Sequence, residues 1–513
     1  MADNEKPKAT GEAKEDPKEE SKELPPPPHH EEISTETLHT VEIDGRAVEY
    51  TATAGRLLLK EEEGKKKASF FFVSYTKKDV SDPSDRPVVF AFNGGPGSSS
   101  VWLHLGLLGP RRVLMDNNGM PYPPPGRLVD NGHSLLDVAD LVFIDPVGTG
   151  FSRAIPNEEA KGFHHFKKDI EAVGEFIRLY LTRHKRWGSP KFLAGESYGT
   201  TRSAGLAGHM YERYGITFNG LILISSILNF QTAGFDGSTG TFRRGNDLPY
   251  VVFLPTYTAT AWYHGKLGAK DQERDLRDLL DEVEQFAATE YALALFQGAA
   301  LSENQFKKIA RKVARYTGLS ETYVTRYDLR IEILRFCKEL LREEGKTVGR
   351  IDSRYTGIDR FRDGDAFESD PSMDATMGVY TSALNAYMHD ELDYESDLPY
   401  EILSTQTWQN WDYEDFKNAY VDVSETLRNT MSRNPYMKVF VANGYLDLAT
   451  PYFATEYTFN HIGLDESLRE NVQMEYYDAG HMMYVHIPSL VKLADDLRGF
   501  VADASPVSPQ ATV

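Results

Sequence analysis

The chain has a single cysteine, Cys337, so no disulfide can form within it. That excludes the small secreted scaffolds held by disulfides, and it suits a reducing compartment, although exported bacterial proteins also do without disulfides. Cys337 lies in the helix-like run Ile333-Leu334-Arg335-Phe336-Cys337-Lys338-Glu339-Leu340, where a thiol serves as a small apolar packing group. Positive charge is scarce too: 56 Lys and Arg stand against 77 Asp and Glu, a formal net charge of -21. A field of that sign repels nucleic acid and anionic membrane surfaces, so neither is expected as a partner. No stretch is apolar enough to span a bilayer. Residues 1–33 mix Lys, Glu and Pro around Pro25-Pro26-Pro27-Pro28 and hold no apolar run that could serve as a signal-peptide core. As written, the chain is expected in the cytoplasm; a misassigned start would instead allow a periplasmic or secreted address.

What is present is an ordinary globular composition, 41% hydrophobic and 26% charged over 513 residues, long enough to bury a large core. The first 33 residues carry too little apolar surface to offset ordering entropy and read as a polar tail, as do residues 503–513. His29-His30-Glu31-Glu32 has atoms that bind metals, but a solvated tail is the expected reading. Val41 to Tyr50 alternates apolar and polar residues around Asp44-Gly45, the strongest short-range hairpin signal, and Ala68 to Tyr75 extends an antiparallel edge. The pattern then changes to short apolar runs: Pro87 to Phe92, Leu141 to Ile144, Lys191 to Ala194, Leu221 to Ile224, Lys438 to Ala442 and Met474 to Tyr477. Such runs read as strands covered on both faces. Helix-spaced segments such as Phe166 to Ile177 separate them, which predicts a mostly parallel sheet with crossover helices, an α/β fold.

From about residue 235 to 412 the strand rhythm stops. Leu276, Leu279, Leu280, Val283, Phe286 and Ala287 form one stripe of a charged helix. Ser302 and Gln305 fit a capping box before a helix that buries Phe306, Ile309, Val313 and Tyr316. The expected organisation is therefore a core from 34–234 and 413–502 with a helical block, 235–412, inserted between its strands. That block is either a cap over a site or a decoration of the fold.

Lys191 to Ala194 runs directly into Gly195-Glu196-Ser197-Tyr198-Gly199, and the small residues Ser203, Ala204, Gly205 and Ala207 follow. Gly-x-Ser-x-Gly between a strand and a helix lifts a serine hydroxyl above a sheet. A serine hydroxyl attacks a carbonyl only with a neutral imidazole in reach, itself oriented by a carboxylate. Asp447 follows the strand around Val439 to Ala442, and His481 follows Met474 to Tyr477, giving the order Ser, Asp, His. Singly, Asp447 reads as a turn residue and His481 as a structural histidine; together, at strand carboxyl ends, they read as orienting acid and base. Asp478 is the rival acid, but it would have to fold back on His481. Oxyanion donors are expected from the backbone amides of Gly95 and Tyr198; Gly94 and Gly97 also fit a plain glycine-rich turn.

With these residues in view, the chain resembles the serine carboxypeptidase family of the α/β-hydrolase superfamily, in particular its bacterial members that lack cysteines. Asn93-Gly94-Gly95-Pro96-Gly97-Ser98-Ser99-Ser100, Asp145-Pro146-Val147-Gly148-Thr149-Gly150-Phe151-Ser152, Gly195 to Gly199 and Gly480-His481-Met482 carry the resemblance, in the family's order. It implies an α/β-hydrolase fold with an inserted helical cap. It also implies removal of the C-terminal residue of a peptide through an acyl-enzyme on Ser197, with no metal or organic cofactor. The family binds the substrate's free carboxylate at the positions of Asn93, Gly94 and Glu196, where a glutamate must share a proton with that carboxylate. Tighter binding at acidic pH follows; the competing reading has Glu196 merely supporting the turn. One departure is Leu107-Leu108-Gly109-Pro110, where the family has Glu-x-Gly-Pro. Ser98 stands where many relatives have Cys, and the Gln that commonly follows the aspartate of the second block is missing. The Leu107 departure favours an esterase or acyltransferase as the alternative; a non-catalytic scaffold with the acidic tail as tether is the remaining one. Arg111, Arg112 and Arg202 are each expected as solvated surface residues unless one adds charge to the carboxylate pocket.

Overall fold

The computed structural model describes residues 31–155, 160–233 and 245–505. Ten strands form one sheet: β1 (Ile33–Ile43), β2 (Arg46–Lys60), β3 (Lys66–Lys77), β4 (Val88–Phe92), β5 (Asp140–Ile144), β6 (Arg153–Ala154), β7 (Lys191–Glu196), β8 (Gly220–Ile224), β9 (Lys438–Gly444) and β10 (Val472–Tyr477). Their order is β1-β2-β3-β5-β4-β7-β8-β9-β10, with β6 beside β3. The first three strands are antiparallel. β5 joins them antiparallel, and from β5 to β10 every pairing is parallel. Each of the six apolar runs read from the sequence is a strand of that parallel set. The hairpin between β1 and β2 turns at Asp44 and Gly45, both at positive φ (48° and 71°), the geometry that an Asp-Gly turn accommodates.

Alternation along the central strands explains why those runs are apolar throughout. Val89, Ala91, Leu141, Phe143, Phe192, Ala194, Ile222, Ile224, Phe440 and Ala442 face one core layer. Their neighbours Val88, Phe90, Val142, Ile144, Leu193, Leu221, Leu223, Val439 and Val441 face the other. Helices α1 (Phe166–Arg183) and α2 (Tyr198–Tyr214) cover the second layer. Helix α3 (Ile487–Ala504) covers the first. Being buried on both faces, these strands show no polar alternation.

Between β8 and β9 the described chain is mainly helical, and it has a core of its own. Leu248–Tyr263, Leu276–Phe286, Glu303–Thr317 and Ile333–Glu339 enclose Phe253, Leu279, Val283, Phe286, Ile309, Val313, Phe336 and the buried Cys337. The Ser302–Gln305 capping box is formed. One short hairpin, Lys346–Val348 with Thr356–Ile358, interrupts the helices. The polar-tail expectation for 1–33, including His29 and His30, falls almost wholly outside the described residues, although Ile33 already belongs to β1; at the other end α3 runs to Ala504. Among the described residues, no helix is long and apolar enough to cross a membrane.

At the amino ends of the parallel strands, the buried Asp140 receives Arg86 Nε at 2.7 Å and a guanidinium N–H of Arg186, both arginines also buried, and the half-buried Lys77 donates its amide at 3.1 Å. Removing that carboxylate strands two buried guanidinium groups. Asp140→Ala is therefore expected to cost about 3–5 kcal/mol of unfolding free energy, read from the urea midpoint.

Candidate active site

β7 ends at Glu196 and α2 begins at Tyr198, which leaves Ser197 alone in the turn at φ 61°, ψ -130°. For a residue with a Cβ, that conformation costs on the order of 1–3 kcal/mol and persists only where the surroundings impose it. Here they do: the Ser197 amide donates to the Ile224 carbonyl at 3.0 Å, and the Ser197 carbonyl accepts the Thr200 amide at 2.8 Å. A Cβ on Gly195 would strike the Gly199 carbonyl, and one on Gly199 would come within 2.9 Å of the Phe92 carbonyl. Both glycines are thus sterically required, and Ser197 is left half-buried at the carboxyl end of the sheet.

Asp447 follows β9 and is fully buried. Its Oδ1 accepts the amides of Ala449 (2.7 Å) and Thr450 (3.0 Å). Its Oδ2 accepts Thr450 Oγ1 at 2.7 Å and lies 2.7 Å from His481 Nδ1. With Nδ1 donating to the carboxylate, Nε2 is the ring's acceptor. Burial disfavours the imidazolium, but the charge and hydrogen bond of Asp447 together with the charge of Glu196 outweigh it and hold the His481 pKa above its ordinary value. Asp478, the rival acid, is exposed.

The helical block takes part in this arrangement. The Ile351 carbonyl accepts the His481 amide at 2.8 Å, the Arg350 carbonyl accepts the Leu448 amide at 3.1 Å, and Ser353 donates its amide to the Leu446 carbonyl at 3.0 Å. Asp352 Oδ2 accepts the Gly480 amide at 3.2 Å, and a Cβ on Gly480 would come within 2.5 Å of Asp352. Residues 350–353 thereby clamp the loops of both Asp447 and His481. Nothing in the sequence near Asp352 announces this, because the contact crosses 128 positions.

The glycine segment after β4 packs against the same turn. A Cβ on Gly94 would strike the Tyr198 amide and lie 2.7 Å from that of Gly199, while Gly95 and Gly97 take φ of +102° and +99°. Tyr198 opens α2, so its N–H has no acceptor within the helix. Asn93 and Glu196 are joined: the Leu103 amide donates to Asn93 Oδ1 at 3.1 Å, and Asn93 Nδ2 donates to Glu196 Oε1 at 2.9 Å. Tyr484 Oη donates to Glu196 Oε2 at 2.6 Å. Burial pushes the Glu196 pKa up to about 7, against the opposing pull of His481 and of the donors Tyr484 and Asn93.

Arg202 departs from expectation. It is 1% exposed rather than solvated, and its Nε donates to Asp169 at 2.8 Å while Nη1 donates to the Asn93 carbonyl at 2.6 Å. It braces the glycine segment from beneath because it lies on the inner face of α2. Arg111 is paired with Asp130 and Glu391, and Arg112 lies half-buried. Leu107 is buried in the first core layer. Sequence reasoning missed Thr450, Asp352 and Tyr484; Thr450, three residues after Asp447, and Tyr484, three residues after His481, lay close in sequence to residues already singled out, and Asp352 did not.

Because the Glu196 pKa is raised from 4.5 to about 7, the fold favours its neutral form; the stability this gives is complete below pH 4.5 and is lost as pH rises through about 7. Glu196→Gln cannot ionise. Its stability relative to wild type is expected to improve by about 1–3 kcal/mol between pH 4.5 and 8, read from denaturant midpoints at each pH.

A 156-residue segment is 35% identical to the pheromone-processing carboxypeptidase KEX1 of Saccharomyces cerevisiae, covering 28% of this chain and 20% of that one. A 128-residue segment is 30% identical to serine carboxypeptidase-like 5 of Arabidopsis thaliana, covering 24% of this chain and 28% of that one. The chain thus matches less than a third of the length of either relative. A crystal structure of a prohormone-processing carboxypeptidase from Saccharomyces cerevisiae superposes with a TM-score of 0.53 at 16% identity, covering 89% of this chain and 91% of that one, a likeness of fold. The family model described as serine carboxypeptidase matches residues 46–486, and the chain belongs to that family.

Proposed function

We propose that the protein is a serine carboxypeptidase that removes the C-terminal residue of a peptide through an acyl-enzyme on Ser197. The observations that carry the reading are the buried Asp447–His481 hydrogen bond and the strained strand-to-helix turn that holds Ser197 at the carboxyl end of the sheet. In this reading Ser197 Oγ attacks the last peptide carbonyl while His481 Nε2 takes its proton. Asp447 stabilises the imidazolium, and the Gly95 and Tyr198 amides receive the oxyanion. Collapse of the tetrahedral adduct breaks the C–N bond, and His481 passes its proton to the departing amine. Water then attacks the acyl-enzyme with His481 again as base, releasing the shortened peptide and restoring the serine.

Recognition of the free carboxylate is assigned to Asn93, the Gly94 backbone and Glu196. A carboxyl group with a pKa near 7 can be neutral at working pH and donate a hydrogen bond to a carboxylate, where an ionised one would repel it. The helical block is assigned the role of a cap, since its residues 350–353 hold the base and acid loops. The second reading, an esterase or acyltransferase, draws on the apolar Leu107 where the family resemblance implies a further carboxylate.

Fluorophosphonate labelling is expected on wild type and absent from Ser197→Ala, with turnover falling by about 10⁴-fold or more. Peptides with a free and with an amidated C-terminus separate the two readings. The free acid is expected to be cleaved at least about tenfold more efficiently at pH 5–6, and equal turnover would exclude carboxylate recognition.

A further inference from the structure

Glu196 is a buried carboxyl group with one donor on each oxygen, and the two donors differ in kind. Asn93 Nδ2 can only donate, and its orientation is fixed because the Leu103 amide occupies its Oδ1 at 3.1 Å. Oε1 of Glu196, 2.9 Å from that nitrogen, therefore stays an acceptor whether or not the carboxyl is ionised. A proton must go on Oε2. The partner there is Tyr484 Oη at 2.6 Å; a phenol hydroxyl can donate to a carboxylate and can accept from a carboxylic acid, and the bond to the ionised form is the stronger.

Tyr484 is built in for this contact. It is 1% exposed in the short turn Met483–Val485, three residues after His481. Its ring lies over Gly106, where any Cβ would strike ring atoms and would come within 2.9 Å of the Tyr380 hydroxyl. Tyr380 packs on Trp102, with ring centroids 4.8 Å apart. Burial keeps the Tyr484 phenol well above its ordinary pKa, so it remains a neutral hydroxyl across the working range. The charged or titratable groups that act on Glu196 are His481 and Asp447 from the two late loops, Tyr484 from the turn, and Tyr380 from the helix Pro371–Asp390.

We infer that Tyr484 is a positioning residue that partners Glu196 Oε2, the oxygen to which Asn93 confines the proton, and so sets the pH range over which the site accepts a substrate carboxylate. This rests on Glu196 being the carboxylate-binding group. In the ionised state the phenol donates to Oε2 and stabilises the anion. In the neutral state the carboxyl O–H lies on Oε2, free to turn from the phenol oxygen to an incoming carboxylate, while Asn93 keeps the group from rotating. One carboxyl and one phenol meet the substrate's charge in place of two carboxyls, so one acidic proton has to be retained.

The test is Tyr484→Phe, which keeps the ring over Gly106 and removes only the hydroxyl. In wild type, KM for a free-acid peptide is expected to rise as Glu196 ionises near pH 7. Without the donor to Oε2 the anion is less stable, so that midpoint is expected about one pH unit higher in Tyr484→Phe. Near pH 8 the KM of the variant then rises up to about tenfold less, relative to its own acid limit, than that of wild type. An ester substrate without the carboxylate is expected to show no displacement, and Glu196→Gln to abolish the transition. A KM midpoint that stays in place in Tyr484→Phe, or a loss equal for both substrates at every pH, overturns the proposal. Infrared titration of the carboxylic C=O band that disappears in Glu196→Gln reads the same midpoint without turnover. Replacing Tyr484 by 3,5-difluorotyrosine, a stronger donor of the same shape, is expected to move it downward, and an unmoved band also overturns the proposal. If the band moves as expected while wild-type KM has no transition, it is the carboxylate-binding reading of Glu196 that has failed, and the assigned pH range of substrate acceptance falls with it.

Discussion

The arrangement depends on one backbone constraint, the turn at Ser197. A β-strand becomes an α-helix within a single residue, and the turn is held against the Ile224 carbonyl on one neighbouring strand and packs close to the Phe92 carbonyl on the other. Glycines at 195 and 199 are what that space permits. Because the turn is locked, the side chains beside it are locked as well: Glu196 points to Asn93 and Tyr484, and Tyr198 begins a helix with an amide that lacks a helical acceptor. The strain at Ser197 is balanced by packing elsewhere, in the two core layers that hold β4, β7 and β8 in register.

Electrostatics in the site follow from burial. Three of the buried carboxyl groups, Asp447, Glu196 and Asp169, contact or adjoin the turn at Ser197 or His481, and each is treated differently. Asp447 receives two amides, a hydroxyl and an imidazole. Asp169 faces the guanidinium of Arg202. The hydrogen-bond donors to Glu196 are the neutral Asn93 and Tyr484, and burial raises its pKa to about 7. A carboxyl that stays protonated near neutrality is the chemical requirement for receiving another carboxylate, so its pH response and its proposed recognition role have one cause.

The helical block is more than an appendage on this sheet. Residues 350–353 supply backbone acceptors and a carboxylate to the loops that carry Asp447 and His481, so those loops are shaped from outside the sheet. Gly480 is the corresponding mark in the sequence, since any larger residue there would collide with Asp352.

By itself the sequence determined the parallel strands, the hairpin at Asp44-Gly45, the capping box at Ser302 and the elbow around Ser197. These are local: period, turn chemistry and glycine spacing are properties of a few consecutive residues. The order Ser197, Asp447, His481 was also legible, because each residue lies within four positions of the end of a recognisable strand. Only the tertiary structure decided which acid reaches His481, that Arg202 is buried against Asp169 and not solvated, that Asp352 clamps Gly480, and that Tyr484 holds Glu196. Those contacts join residues 33 to 288 positions apart. No local pattern encodes them, since a buried polar group takes as its partner whatever the packing of distant elements brings within hydrogen-bond reach.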